Sequence, residues 1–471
     1  MADAPRAIIL SLHAPTPTPP LTIGLRREPF FDDWLLEKTT GLAWELVDPV
    51  PTGNGLVLDQ PWEGPYCGYF TVIHDDDRFL LYYRGRGNLP NTETTCLALS
   101  RDGFNWQRPA LGMHRFAGSH DNNLLFANSP ELTHNFTPFL DTNPAADRFT
   151  RFKAVAGEKQ GLLAYGSPDG IRWHTLQDTP VFTKGIFDSQ NVPFWSASEG
   201  CYVLYFRVWT GEGYSGFRTI ARSTSPDFRN WSEPQRMTFG DAAQEHLYTN
   251  ATQPYPPAPH LYVALASRFV PGRQWMDHAE AVARGVQDGR EADVSDVVFM
   301  TSRGGCQYQR QFPQGFIRPG TDPSDWVGRS NMAILGVIEL PGNRLGFYRQ
   351  HGYATPHNRI ELQTLRTDGF ARLRAGATSG TALTRAFIAA GRKLCLNFAT
   401  SAAGSVRVEV LTADGTPLPG FSADSTPGIF GDSVHHPVPW ARDRSWSQLA
   451  GQAVRLRFTL QEADLYALQQ Q

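Results

Sequence analysis

A short turn motif recurs five times along the chain, and a repeat of this kind restricts the architecture more than any other feature of the sequence. Ser100-Arg-Asp102-Gly-Phe-Asn-Trp106 is echoed as Ser167-Pro-Asp169-Gly-Ile-Arg-Trp173 and as Ser225-Pro-Asp227-Phe-Arg-Asn-Trp231. Looser copies are Ser302-Arg-Gly-Gly-Cys-Gln-Tyr308 and Arg366-Thr-Asp368-Gly-Phe-Ala-Arg372, and successive copies end 67, 58, 77 and 64 residues apart. The first four follow apolar strand-like runs: 95–99, 161–165, 218–222 and 296–300. In such a turn the Asp accepts from N–H groups ahead of it, Gly takes a positive φ, and the Trp packs back beneath. Two further strand-like runs precede each hairpin, as in 67–73 and 78–83 around His74-Asp-Asp-Asp77. Four antiparallel strands per repeat is the unit of a propeller blade. The expected fold is therefore all-β, a five-bladed β-propeller with blades at 62–108, 134–177, 187–233, 245–310 and 329–373. The 77-residue interval is explained by a polar, Ala-rich, helix-prone insertion at 277–292, between two strands of the fourth blade.

The hairpin resembles the Asp-box of sialidase-type propellers, where its role is structural, so Asp102, Asp169 and Asp227 are read as turn-holding residues. After about residue 376 the pattern becomes clean alternation, as in Ser405-Val-Arg-Val-Glu-Val-Leu411, with turns at Asp414-Gly415 and Pro417-Leu-Pro-Gly420. This is the signature of half-buried strands and predicts a C-terminal β-sandwich. The expected division is an N-terminal extension at 1–24, the propeller at 25–375 and the sandwich at 376–471. The segment 25–50, with Glu28-Pro-Phe-Phe-Asp-Asp-Trp-Leu-Leu36, is the candidate for closing the ring.

Composition narrows the function classes. A net charge of -3 without a basic stripe argues against nucleic acid, and no stretch near 20 apolar residues offers a membrane span. The apolar run at 7–12 is short for a secretory leader, so a cytoplasmic address is expected. The five cysteines, Cys67, Cys96, Cys201, Cys306 and Cys395, lie in apolar runs at long spacings and read as buried thiols. No His/Asp/Glu set has metal-ligand spacing and no phosphate loop or GxSxG is present, so neither cofactor nor metal is expected.

The chemistry is expected where the innermost strand of each blade begins. These starts are Pro61-Trp62-Glu63-Gly64-Pro65-Tyr66, His134-Asn135-Phe136, Phe187-Asp188-Ser189-Gln190-Asn191, Glu245-His246-Leu247-Tyr248-Thr249-Asn250 and Arg329-Ser330-Asn331. The set resembles the five-bladed furanosidase-like superfamily, glycoside hydrolase families 32, 43, 68 and 117, in which an acid precedes the inner strand of each of the first three blades. Phe187-Asp188 resembles the middle motif of that group, while the family-32 Asn-Asp-Pro-Asn-Gly and Arg-Asp-Pro sequences are absent. Phe30-Phe-Asp-Asp-Trp-Leu35 is similar to the start of bacterial family-32-like proteins. The resemblance implies a glycosidase in which Glu63, Asp188 and Glu245 are the catalytic carboxyls and Glu245 the general acid. Such chemistry needs one protonated and one ionised carboxyl. Trp62, Tyr66, Trp195 and Tyr248 could stack on a sugar ring, and Arg207, Arg218 and Arg268 could hold an anionic one. His134, Asn135, Gln190, Asn191, His246, Asn250, Asn331 and His351 complete the expected carbohydrate-binding set. The alternatives are a glycoside phosphorylase and a non-catalytic carbohydrate-binding propeller.

Overall fold

The computed structural model describes residues 19–86, 93–127, 129 and 133–471; the N-terminal tract up to residue 18 lies outside them. Five four-stranded sheets form the ring. The first three blades comprise Gly68–Asp75, Arg78–Arg86, Glu93–Ser100 and Leu124–Ala127; Thr137–Leu140, Phe152–Ala156, Leu163–Ser167 and His174–Thr175; and Val192–Ser196, Cys201–Trp209, Arg218–Ser225 and Gln235–Arg236. In the fourth, the inner strand is split into His246–Thr249 and Thr252–Tyr255, followed by Ala258–Pro271 and Asp293–Ser302. The helix His278–Ala283 falls between those last two strands, where the insertion was expected, and Asp277 caps it by accepting from the Glu280 N–H at 2.8 Å.

The first three turn motifs lie between the third and fourth strands of their blades, away from the inner strands. Asp102 accepts from the N–H groups of Phe104 and Asn105, both at 2.8 Å, and Asp169 from those of Ile171 and Arg172, also at 2.8 Å. These backbone donors hold the Asp102 carboxyl well below the usual carboxylate range. The turns also join blades: Tyr82 of the first donates to the Gly170 carbonyl of the second at 2.8 Å, and Trp106 of the first donates to Tyr348 of the fifth at 3.1 Å.

The ring closes differently from the sequence expectation. The fifth blade holds Ile338–Leu340, Arg344–His351 and Arg359–Arg366, and its outer strand is Val50–Val57. The segment 25–50 is not the closing strand. Its strands Arg27–Pro29, Leu36–Thr40 and Ala43–Leu46 belong instead to a nine-stranded sheet with the C-terminal region. The fifth turn copy explains the switch. Past Asp368 the chain leaves the propeller and runs as Ala371–Ala375 into that same sheet, leaving the outer place in the blade to the N-terminal strand.

Asp368 itself is buried at the junction, accepting from Tyr255 Oη at 2.9 Å, Asn397 Nδ2 at 2.8 Å and Arg27 Nε at 2.6 Å. The long strands Leu394–Thr412 and Ala453–Gln470 form the spine of the nine-stranded sheet, which curls over Phe387, Phe398, Trp446 and Phe458 as the C-terminal sandwich. Trp440 stacks on buried Trp446 at 5.9 Å, so these tryptophans serve that core.

Two outcomes follow from this closure. At Gly55 a Cβ would stand 1.9 Å from the Ile360 carbonyl oxygen. Gly55→Ala is expected to force the two strands apart, destabilising by about 1–3 kcal/mol and lowering the melting temperature in calorimetry; an unchanged melt would mean the ladder is not under this constraint. The second concerns Glu28, which meets Arg303 Nη1 at 3.0 Å. Burial pushes its carboxyl up, but the His260 hydrogen bond and the Arg303, His260 and Arg26 charges outweigh burial and bring it down from 4.5 to about 2. A lowered folded-state value gives stability that is complete above pH 4.5 and lost as pH falls towards 2. Acid melts across that window should show a loss of a few kcal/mol, roughly 1.4 per unit, and Glu28→Gln should flatten the profile.

Candidate functional site

The two ends of the shaft differ in chemistry. At the ends where the inner strands finish, a cavity of about 520 Å³ is lined by Val72, Pro138, Phe139, Phe194, Trp195, Pro254, Leu335 and Val337, among others. Its walls are largely apolar, so Trp195 lies far from the expected charged site. The opposite mouth, where the inner strands begin, is built from charged and phenolic side chains of all five blades.

At its centre Tyr69 of the first blade and Tyr248 of the fourth meet with hydroxyls 3.2 Å apart. Four guanidiniums surround them. Arg84 lies 4.4 Å from the Tyr69 ring centre, and Arg207, Arg329 and Arg218 lie 5.0, 5.1 and 5.7 Å from that of Tyr248. Arg218 also stacks on Trp209 at 4.5 Å and Phe269 at 4.8 Å. Asp188 of the third blade pairs with Arg207 and keeps about a third of its side chain in solvent. Arg84 Nη1 donates to Asn135 Oδ1 of the second blade at 2.9 Å, and the neighbouring His134 meets Glu93 through Nδ1 at 2.9 Å.

Several of the positive-φ residues lie here. Tyr69, Asn135, Arg329 and Asn331 adopt φ of 55°, 52°, 71° and 67°, the left-handed region that ordinary side chains avoid. Each such residue costs about 1–3 kcal/mol, and the cost falls where blade openings turn side chains towards the mouth.

The electrostatics follow from the crowding. Burial raises the Tyr248 phenol, but the charges of Arg329 and Arg207, the Tyr69 hydrogen bond and Arg84 outweigh it and bring it below its ordinary value, while burial pushes its partner Tyr69 up. Burial together with the like charges of Arg207 and Arg329 lowers Arg218. For Glu93, burial works upward, while the His134 hydrogen bond and the Arg84 charge carry the carboxyl below its ordinary value.

The expected residues divide clearly. Asp188, Arg207, Tyr248, His134 and Asn135 stand at the mouth. Gln190 lines its neck, donating to the Phe70 carbonyl at 3.0 Å. Asn191, Asn250 and Asn331 hold the strand openings: Asn191 Nδ2 donates to the Ser189 carbonyl at 3.0 Å, Asn331 Nδ2 to the Ser295 carbonyl at 2.8 Å, and Asn250 Oδ1 accepts from the Thr252 N–H at 3.0 Å. His246 Nδ1 accepts from the Arg218 N–H at 3.1 Å and so flanks the site. His351 is clamped between Asp325 at 2.8 Å and Glu361 at 3.1 Å. Tyr66 meets Asp288 at the exposed rim, and Trp62 donates to Asn123 at 2.8 Å inside the first blade.

Two carboxyls expected to be catalytic lie elsewhere. Glu63 is wholly buried in the first blade, accepting from Tyr83 Oη at 2.7 Å and from Arg108 Nε at 2.8 Å. The turn that carries it folds back, with the Gln60 N–H donating to Glu63 Oε2 at 2.9 Å, and this aims the side chain into the sheet. Glu245 pairs with Arg268 at 3.0 Å and with Arg310, beside the outer strand of the third blade. Arg268 is further committed to Asp296 at 2.8 Å. Sequence reasoning missed Tyr69, Arg84, Arg329 and Glu93; the basic residues Arg84 and Arg329 amid apolar or small neighbours were the available signal.

No known family's sequence profile matches the chain, and no curated protein does. Solved structures similar to it include a glycoside hydrolase at 13% identity, spanning 67% of this chain and 92% of that one with a TM-score of 0.43. Another is an N-acetylgalactosamine deacetylase from F. plautii in complex with blood group B trisaccharide, at 12% identity, 69% and 96% coverage and a TM-score of 0.44. A third belongs to work on the GH130 family of mannoside phosphorylases and its glycoside hydrolases, at 12% identity, 72% and 96% coverage and a TM-score of 0.41.

Glu63→Gln should unfold more easily in denaturant without a change in ligand binding, because Arg108 then keeps only the exposed Asp59, at 3.4 Å, as counter-charge. The expected loss is about 2–3 kcal/mol, below the ~3–5 of a fully buried pair because Arg108 is partly in solvent. Normal stability with lost binding would place Glu63 in the site after all.

Proposed function

We propose that the protein cleaves glycosidic bonds at the charged mouth of the shaft, with Asp188 as the reacting carboxylate. The observation that carries this reading is the position of Asp188: of the three carboxyls that the sequence singles out, it alone stands among the mouth side chains, part-exposed and held by Arg207. Its resemblance to the middle acid of the five-bladed glycosidases points the same way. A carboxylate with a guanidinium as counter-charge suits the base or nucleophile of such a reaction. Tyr69 and Tyr248 offer hydroxyls for a sugar. The Glu93–His134 pair is the second titratable group at this mouth, and in this reading it handles the proton of the leaving oxygen.

Hydrolysis is the reading put forward, with water as the attacking group. The direct test is release of the aglycone from a panel of aryl glycosides of neutral and acidic sugars. Asp188→Asn keeps the shape of the side chain but removes its charge, and it should lower kcat by at least ~10²-fold, the lower range for positioned acid–base groups. His134→Gln should lose more on glycosides with poor leaving groups than on activated ones. Full activity in Asp188→Asn would overturn the assignment. Sugar binding without cleavage by the unmodified protein would leave a carbohydrate-binding propeller.

A further inference from the structure

Among the described residues the mouth holds more positive charge than its carboxylates neutralise. Arg84, Arg207, Arg218 and Arg329 converge on the two tyrosines, and the described acids facing them are Asp188, paired with Arg207, Glu93, paired with His134, and Asp293, whose charge acts on Arg218. Buried guanidiniums normally have their N–H groups satisfied, since an unpaired buried donor costs about 1–3 kcal/mol and more when charged. Among the described residues, Nε of all four arginines is buried without an acceptor, as are Asn135 Nδ2 and the Thr249 hydroxyl; arginines elsewhere, such as Arg222 and Arg372, share the free Nε, but only here do four stand together. Arg84 and Arg207 are themselves less than a tenth exposed. They come from the second strands of the first and third blades, Arg218 from a third strand and Arg329 from a blade opening. No single local packing need places four cations together.

Resting on the reading of this mouth as a glycan site, we propose that Arg84, Arg207, Arg218 and Arg329, with Tyr248, form a subsite for an oxyanion: either inorganic phosphate beside the sugar or the carboxylate of an acidic sugar. Both present planar or tetrahedral arrays of negative oxygens, which guanidinium forks bind through charge-assisted hydrogen bonds. A neutral sugar would leave the four charges facing one another. A bound anion relieves that repulsion and gives acceptors to donors that lack them. The lowering of Tyr248 towards neutrality by Arg329 and Arg207 reports the same unbalanced field, and it supplies a spectroscopic handle. A second negative charge beside the phenol disfavours the tyrosinate, so an anion in the subsite raises the Tyr248 pKa.

The test is calorimetric titration of the full chain with inorganic phosphate, with glucuronate and with neutral glucose, alongside the near-ultraviolet tyrosinate band at mildly alkaline pH. At least one anion should bind more tightly than glucose, lose affinity with added salt, and weaken tenfold or more in Arg218→Gln. The tyrosinate band should shrink on binding, and this change should be missing in Tyr248→Phe. Phosphate binding alone identifies a site for free phosphate, glucuronate alone identifies an acidic sugar, and binding of both identifies the shared oxyanion chemistry; each result supports the subsite. Binding of neither anion, or binding that leaves the tyrosinate band and the Arg218→Gln affinity unchanged, overturns it. Should Arg218→Gln misfold by circular dichroism, Arg329→Gln takes its place, and unchanged anion affinity in it overturns the subsite. These measurements need no turnover. Anion binding by a protein that cleaves no glycoside removes the catalytic reading and keeps the subsite, whereas cleavage that depends on Asp188 without anion binding does the reverse.

Discussion

The rest of the structure depends on one backbone ladder, between Val50–Val57 and Arg359–Arg366. Without it the fifth blade would be a three-stranded sheet with a bare edge, the kind of surface that pairs with other chains. The ladder also sets the shaft. It seats the fifth blade against the first, where the Val72 N–H donates to the Leu335 carbonyl at 2.7 Å. That distance in turn fixes how near Tyr69 and Arg84 of the first blade come to Tyr248 of the fourth and Arg329 of the fifth. Closing a loop of this length costs entropy, but the cost grows slowly with length. The C-terminal sheet limits it further. The single strand Ala453–Gln470 pairs with Arg27–Pro29 just before the closing strand and with Ala371–Ala375 just after the fifth blade. Both ends of the ring are thus pinned to one strand, and the sandwich acts as its latch.

The latch is reinforced by buried polar groups. Glu28 and Asp32, from the N-terminal segment, both meet Arg303 of the fourth turn copy at 3.0 Å. Asp368, in the fifth copy, collects Tyr255, Asn397 and Arg27. Buried ion pairs of this kind contribute modest net stability, since desolvation offsets much of their attraction. What they supply here is position: a ring shifted relative to the sandwich would leave three carboxylates and two guanidiniums unpaired. The two looser copies of the repeat are therefore the ones recruited to the junction, and their departure from the Ser-x-Asp-Gly-x-x-Trp pattern has that structural cause.

The repeat made the blades legible in the sequence, because the same turn chemistry is needed wherever a third strand passes to a fourth. Ring closure was not legible. Val50–Val57 reads Val-Pro-Thr-Gly-Asn-Gly-Leu-Val, a run whose Pro and glycines suggest a turn and are tolerated because the strand sits at a sheet edge. The site was half legible. Asp188 follows from its place before an inner strand, but Glu245 is drawn aside by Arg268 and Arg310, and a β-bulge between Leu247 and Thr249 breaks the alternation that would relate it to Tyr248. Reading the inner-strand starts alone also misses Arg84 and Arg207, which reach the mouth from second strands. Long side chains crossing between layers leave no periodic mark in a sequence.

Four guanidiniums packed at one mouth repel, and something must hold them. The aromatic faces do much of it: Arg84 on Tyr69, Arg207 and Arg329 on Tyr248, and Arg218 between Trp209 and Phe269. Each contact of this type is worth about 0.5–2 kcal/mol, most where water is excluded. Stacking satisfies the flat face of a guanidinium and leaves its edge, where the N–H donors lie, pointing elsewhere. A ring of aromatic-backed arginines is thus a frame whose edges the protein only partly engages: Arg84 meets Asn135 and Arg207 meets Asp188, while Nε of each stays free, unlike Arg268, whose edge is taken up by carboxylates. The apolar opposite end of the shaft sharpens the contrast, because low-dielectric walls focus the field of the charged mouth outward. In the proposed reading that field draws in negatively charged ligands, and Asp188, paired with Arg207 of the frame, is part-exposed beside it.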